Sequence, residues 1–200
     1  MRLNPYAAFD CLIIGRRLQN PTFRCTAAEI HLFAYLSCLL WLYRQRPVTE
    51  WGYGFVSTEL GAPFSLDIDT TIKQLSDRGC FAYDQEKVII TDIAYHELDN
   101  FSALSLNRDR LECLDAACAT TAAFSLGMVS NALGSDPELS RAQALRMSRR
   151  LLEESAQGEL YKQFAVLRQS LIHRTEDLRL PAVVWLTALY RLRESADPAN

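Results

Sequence analysis

The sequence predicts a mainly α-helical protein with one small β-hairpin in its first half and helices alone in its second. Three features point there. Apolar residues recur at spacings of three and four through most of the chain, the period of a helix with one buried face. Helix-start signals stand at Asn4-Pro5, at Thr26 with Glu29, and at Asp136-Pro137. The β-prone runs are short and confined to residues 51–91. With 49% hydrophobic residues in 200, the chain can bury a core as one large domain or two small ones.

Asn4 can cap a helix whose first position is Pro5; Phe9, Leu12, Ile13 and Leu18 then share a face until Asn20-Pro21 ends it. Thr26 and Glu29 form a capping box for a second helix, in which Ile30, Phe33, Leu36, Leu40 and Tyr43 recur until Pro47. This helix is apolar nearly all round, which predicts a central place in the core. Residues 51–57 alternate aromatic or β-branched side chains with small ones and predict a short strand. A brief helical turn over 57–60 follows, closed by Gly61 and Pro63. Ile68, Ile72 and Leu75 mark one face of a helix over 67–78, with Gly79 as its C-terminal cap. Residues 80–83 and 88–91 predict a hairpin joined by the charged turn Asp84-Gln85-Glu86-Lys87.

Beyond the hairpin only helices are expected. One covers 92–104, and a long alanine-rich one runs over 108–133 to Gly134. Asp136-Pro137 opens a helix through Glu154. After Gly158, Leu160, Phe164, Leu167 and Leu171 form an apolar stripe that must meet another helix of this chain or a partner. Packing within the chain is the expectation, and Phe164 is the contact candidate if a partner covers the stripe. Pro181 begins a last helix with Val184, Trp185, Leu189 and Leu192.

The formal charge is −3, so no global positive field draws the chain to nucleic acid or anionic lipid, and such contact needs a local patch. Of the 21 basic residues all but Lys73, Lys87 and Lys162 are arginine, whose forked donors suit carboxylates and phosphates at interfaces. The strongest cluster is Arg146, Arg149 and Arg150, which the predicted helix sets on one flank. Glu153 and Glu154 stand four residues beyond Arg149 and Arg150 and can neutralise that flank. Otherwise the cluster contacts phosphate or an acidic partner surface.

Six cysteines lie scattered without a CxxC pair and read as reduced, buried small hydrophobes. Asn4-Pro5 and Asp10 interrupt the apolar stretch a signal peptide would need. The longest apolar run, 32–43, falls short of the roughly 20 residues that span a bilayer. A cytoplasmic protein without membrane contact is the expectation.

No pattern for catalysis, metal or cofactor emerges. His31, His96 and His173 stand alone, and no P-loop, dinucleotide fingerprint or nucleophile elbow is present. The adjacent pairs His96-Glu97 and Glu153-Glu154 point to different sides of a helix and do not converge on one site. Gly52 and Gly54 flank Tyr53, but a strand follows where a phosphate cradle needs a helix. A protein without catalytic activity or cofactor is therefore expected, with an enzyme whose site is brought together only by the fold as a third alternative.

The order helix, strand, short helix, helix, hairpin, helix over 26–104 resembles a winged helix. Val56-Ser57-Thr58-Glu59-Leu60-Gly61 resembles the helix-turn entry, residues 66–79 the recognition-type helix, and Cys80-Phe81-Ala82-Tyr83 and Val88-Ile89-Ile90 the strands flanking the wing. The implied organisation is an N-terminal helix and linker (1–25), a winged-helix module (26–105) and a C-terminal helical bundle (106–200). A winged helix that reads DNA needs basic residues on its second helix and wing. Here the outward positions are drawn from Asp67, Asp69, Thr70, Thr71, Lys73, Gln74, Asp77 and Arg78, and the wing adds Asp84 and Glu86 against Lys87. Acids facing phosphates repel, so this face predicts protein partners, with Thr70, Lys73, Gln74 and Arg78 as contact candidates. A winged-helix DNA-binding transcriptional regulator is the alternative.

The chain also resembles the middle subunits of bacterial ABC-three-component defence systems, including Lamassu-like systems built on SMC-type ATPases. Residues 56–61 and 72–79, and the helical region with Leu98, Phe101, Leu104 and 108–114, carry the resemblance over about half the chain. It implies a non-catalytic adaptor in anti-phage or anti-plasmid defence, bound to an ATPase with an effector nuclease nearby. Any DNA contact would be made through that complex.

Overall fold

A computed structural model describes residues 3–19, 24–102, 107–153, 157–171 and 177–196, with the backbone alone at 100–102 and 196. The chain is mainly helical, with two small antiparallel sheets among the described residues. Helix α1 (Pro5–Leu18) starts as its sequence implies: the Asn4 side chain accepts from the Tyr6 and Ala7 amides with Pro5 in the first turn. In α2 (Ala27–Tyr43) both bonds of the Thr26–Glu29 capping box form, at 2.7 and 3.3 Å. Every residue of α2 from Ile30 to Tyr43 is buried, and α1, α5 and α8 pack around it. It is the axis of the fold, which accounts for its lack of a polar face.

The strand expected at 51–57 is shorter. Val48–Trp51 is a 3-10 turn, and β1 (Phe55–Ser57) begins only after Gly52, whose φ of 87° leaves no room for a side chain: a Cβ there would lie 2.4 Å from the Tyr6 ring. The helical turn expected at 57–60 is instead the bend of a hairpin. Thr58 and Ala62 bond across it, Gly61 turns the chain at φ 77°, and β2 (Pro63–Phe64) runs back along β1.

Helix α3 (Leu66–Asp77) buries Ile68, Ile72 and Leu75 as expected, and Gly79 follows in the left-handed region. The expected hairpin forms as β3 (Phe81–Asp84) and β4 (Lys87–Ile90) around Gln85-Glu86, with Phe81 opposite Ile90 and with Asp84 and Lys87, expected in the turn, paired in the strands. It is tied to the entry of α2, where the Val88 amide donates to the Cys25 carbonyl at 2.7 Å. Helix α4 (Asp92–Ser102) follows; Leu104, expected at its end, lies outside the described residues, as does the side chain of Phe101.

Two expected long helices are broken. The stretch 108–133 divides into α5 (Arg108–Ala119), a 3-10 turn (Thr120–Ala122) and α6 (Leu126–Leu133), with a bend of 116° between the two parts. The hydroxyls of Thr120 and Thr121 donate to the Ala117 and Cys118 carbonyls, both at 2.7 Å, and Ser125 caps α6 through the Met128 amide. Side chains that compete for helical carbonyls and restart a helix explain the bend. The helix opened by Asp136-Pro137, α7 (Pro137–Leu145), stops at Arg146, which turns left-handed at φ 49°. The chain then extends into β5 (Arg150–Leu151), which joins β1 to complete the sheet order β2-β1-β5. This pairing satisfies the edge of β1: the Ser57 amide donates to Arg149 O at 2.8 Å and Ser148 Oγ to Ser57 O at 2.7 Å.

Helices α8 (Gln157–Ser170) and α9 (Arg179–Ala196) close the structure. One apolar core runs from Ala7 to Leu189. All six cysteines are buried thiols.

Candidate functional site

The outward surface of α3 and the β3–β4 hairpin is acidic. Asp67 accepts from Asn4 Nδ2 at 3.0 Å, and Lys73 Nζ donates to Asp69 at 2.8 Å, a bond that raises the lysine's pKa. At the hairpin tip Asp84 pairs with Arg24. Lys73 and Arg78 are exposed and Thr70 and Gln74 half-buried, so these four contact candidates do lie along one accessible helix. Thr71, counted outward in the sequence, is buried instead. Arg78 makes no ion pair among the described residues. The only lysine on α3 is thus tied to a neighbour of opposite charge.

A second surface lies where α7 hands over to β5. Arg146, Arg149 and Arg150 do not share a helix flank, because the backbone turns at Arg146 and runs extended through Arg150. The four-residue spacing to Glu153 therefore brings no pairing, and Glu154 lies outside the described residues. Among the described residues none of the three arginines forms an ion pair, whereas Arg16, Arg17, Arg24, Arg44, Arg46 and Arg179 each reach an aspartate or glutamate. Exposed apolar side chains flank Arg146, Leu145 at 56% and Met147 at 60%. Leu60, 87% exposed, sits on the adjoining β1–β2 turn, whose Gly61 lies against Gln143 of α7.

Phe164 is no contact surface. Only 1% exposed, it packs edge-on to Tyr43 at 5.8 Å and Trp185 at 5.3 Å, and Leu160, Leu167 and Leu171 are buried with it. The stripe is covered from within by α2 and α9, as expected of a core face.

No protein-family profile, curated protein or solved structure matches this chain.

Among the described residues two buried polar centres tie distant elements together, and neither long-range pairing follows from sequence spacing. Asp10 of α1, fully buried, receives Arg110 Nε at 2.6 Å and Nη2 at 2.7 Å together with the Tyr53 hydroxyl. Arg110 also donates to Trp51 O at 2.8 Å and stacks 3.8 Å over the Trp51 ring. Burial raises the Asp10 pKa against the pull of Arg110; Arg110, though desolvated, is held charged by Asp10. Three donors converging on one carboxylate fit the ionised form. The centre joins α1, α5 and the 51–53 loop and is closed to solvent.

Asp136 forms the second. Its Oδ1 accepts from the Glu138 and Leu139 amides at 3.0 and 3.2 Å and from the Tyr35 hydroxyl at 3.2 Å, while Glu138 accepts from the Leu152 amide at 3.0 Å. Burial raises the Asp136 pKa to about 7. His31 is structural: its Nδ1 accepts from the Ser65 amide at 3.1 Å, its ring stacks on Phe64, and burial lowers its pKa to about 4.

Two shallow depressions along α5, of about 350 and 300 Å³, share Asp115 and Arg179. Their charges are already matched, Arg17 with Asp115 at 2.7 and 3.1 Å and Arg179 with Asp177 at 3.3 Å. Among the described residues no group of three His, Cys, Asp or Glu side chains is placed to hold a metal, and no single helix is long and apolar enough to cross a membrane.

Proposed function

We propose that this chain is a non-catalytic adaptor that holds partner proteins in a multi-protein assembly, built on a variant winged-helix module. The carrying observation is the Lys73–Asp69 pair on α3. A recognition-type helix whose one lysine is neutralised, between Asp67 and Asp77, suits protein contacts and repels phosphate. The winged-helix reading draws support from the part of the order that runs α3-β3-β4-α4 after α2 and the β1-β2 pair, and from the hairpin packed on α3. The variation lies at 58–62, a turn in place of the first helix of the helix-turn-helix, and in β1, which pairs with β2 and β5 and not with the wing.

The resemblance to middle subunits of ABC-three-component and Lamassu-like systems gives the adaptor its setting, beside an SMC-type ATPase and an effector nuclease. Co-expression of the tagged chain with its chromosomal neighbours tests the reading. Stoichiometric recovery of another polypeptide is expected; elution of this chain alone overturns it.

A DNA-binding regulator is the second reading, favoured by the unpaired Arg146, Arg149 and Arg150. It requires a gel shift on the chain's own promoter that weakens steeply with salt, as phosphate neutralisation releases counterions.

A further inference from the structure

We infer that the junction of α7 and β5 docks an acidic segment of a partner protein that carries leucine-like side chains among its carboxylates. The inference rests on the adaptor reading and names the chemistry of one contact. Arg146, Arg149 and Arg150 hold three positive charges within five residues, with no carboxylate of the described chain to meet them. Arg149 and Arg150, neighbours on an extended stretch, project to opposite faces, so Arg146 and Arg150, both exposed, are the pair whose forked guanidinium donors match carboxylates.

The frame that presents them is fixed. Arg146 is locked in a left-handed turn, and Arg149 is bonded through its amide to Ser57 Oγ at 3.1 Å and through its carbonyl to the Ser57 amide at 2.8 Å. A preorganised cluster loses less freedom on binding than a mobile tail.

The apolar residues decide the class of anion. Leu145 and Met147 flank Arg146, and Leu60 stands on the adjoining turn, all three more than half exposed. A nucleic-acid backbone offers phosphates and sugars and gives such side chains no apolar partner. A bilayer surface suits a long amphipathic helix with aromatic anchors, and this surface is a turn and a two-residue strand without an aromatic. A peptide that interleaves glutamate or aspartate with leucine satisfies both halves of the surface, and methionine adapts its shape to such a ligand.

The test titrates the full chain by fluorescence anisotropy with two synthetic peptides of equal negative charge, one of glutamate and leucine, one of glutamate and glycine. Duplex DNA and phosphatidylcholine–phosphatidylglycerol vesicles are titrated alongside. The leucine peptide should bind more tightly than the glycine peptide, the DNA or the vesicles. Arg146→Glu with Arg150→Glu, and separately Leu145→Ser with Met147→Ser, should each weaken it about tenfold or more, while Arg191→Glu on exposed α9 changes it less than about twofold. If the charge-reversed protein fails to fold, Arg146→Gln with Arg150→Gln replaces it, and the same loss is expected. Absence of leucine-peptide binding, equal binding by the variants, equal binding of the glycine peptide, or tighter binding of DNA or vesicles overturns the proposal. Recovery of an intact partner complex by the charge-reversed chain removes this docking site and leaves the adaptor reading standing. A chain that binds the peptide through these residues but recovers no partner on co-expression removes the adaptor reading alone.

Discussion

Arg110 of α5 grips Asp10 of α1 through two parallel bonds of 2.6 and 2.7 Å, in a core where both side chains are shut off from water. Removing one partner strands the other as a buried charge, so Arg110→Met should cost about 3–5 kcal/mol. The double variant Asp10→Leu with Arg110→Met should recover much of that loss, because neither charge then needs solvation. Denaturant melts of both proteins measure it. A single variant within about 0.5 kcal/mol of the parent would show the pair to be solvated.

Stability should respond to pH through two groups of opposite sign. Asp136 titrates near its ordinary 3.8 when unfolded and near about 7 when folded, so the folded state holds its proton more tightly. Its contribution is full at low pH and is lost as pH rises from about 4 to about 7. His31 runs the other way: folded, its pKa falls from 6.5 to about 4, so its contribution grows with pH across that window. Each has a limiting slope of about 1.4 kcal/mol per pH unit. Relative to the parent, Asp136→Asn, which keeps the helix cap, should turn the slope of stability against pH upward, and His31→Gln should turn it downward. Melting at several pH values decides it, and parallel curves for both variants and the parent would contradict it.

The stripe on α8 should behave as core. Phe164→Asp places a charge between Tyr43 and Trp185 and should abolish the monomer fold. On α3, Ile72→Ala should cost about 2–5 kcal/mol. Loss of near-ultraviolet circular dichroism for the first and a shifted denaturant midpoint for the second are the readouts.

Ser125 caps α6 just after the bend. Ser125→Ala removes the bond to the Met128 amide and should cost about 1 kcal/mol. Faster amide exchange confined to the first turn of α6 locates the loss there.

Capping is local chemistry, so the helix starts at Asn4, Thr26 and Asp136 can be read from a few residues, and each forms. The apolar α2 and the face of Ile68, Ile72 and Leu75 are legible for the same reason. Long-range pairing is not. Arg146 to Arg150 read as helix because helical spacing continues through them, and they leave it because Ser57, some ninety residues away in sequence, offers hydrogen bonds only an extended chain can meet. Asp10 and Arg110 stand 100 residues apart, and the one local sign of their pairing is an acid amid the apolar residues of α1. The break after α5 did have a local signal, the adjacent Thr120 and Thr121, which the preceding alanines outweighed.

Native mass spectrometry of the tagged chain, recovered intact after co-expression with its chromosomal neighbours, tests the adaptor function most directly. A species containing this 22.7 kDa chain and at least one different polypeptide in fixed ratio, free of nucleic acid, is the predicted result. A spectrum showing only free chain, copies of it alone, or the chain bound to DNA without another protein would contradict it.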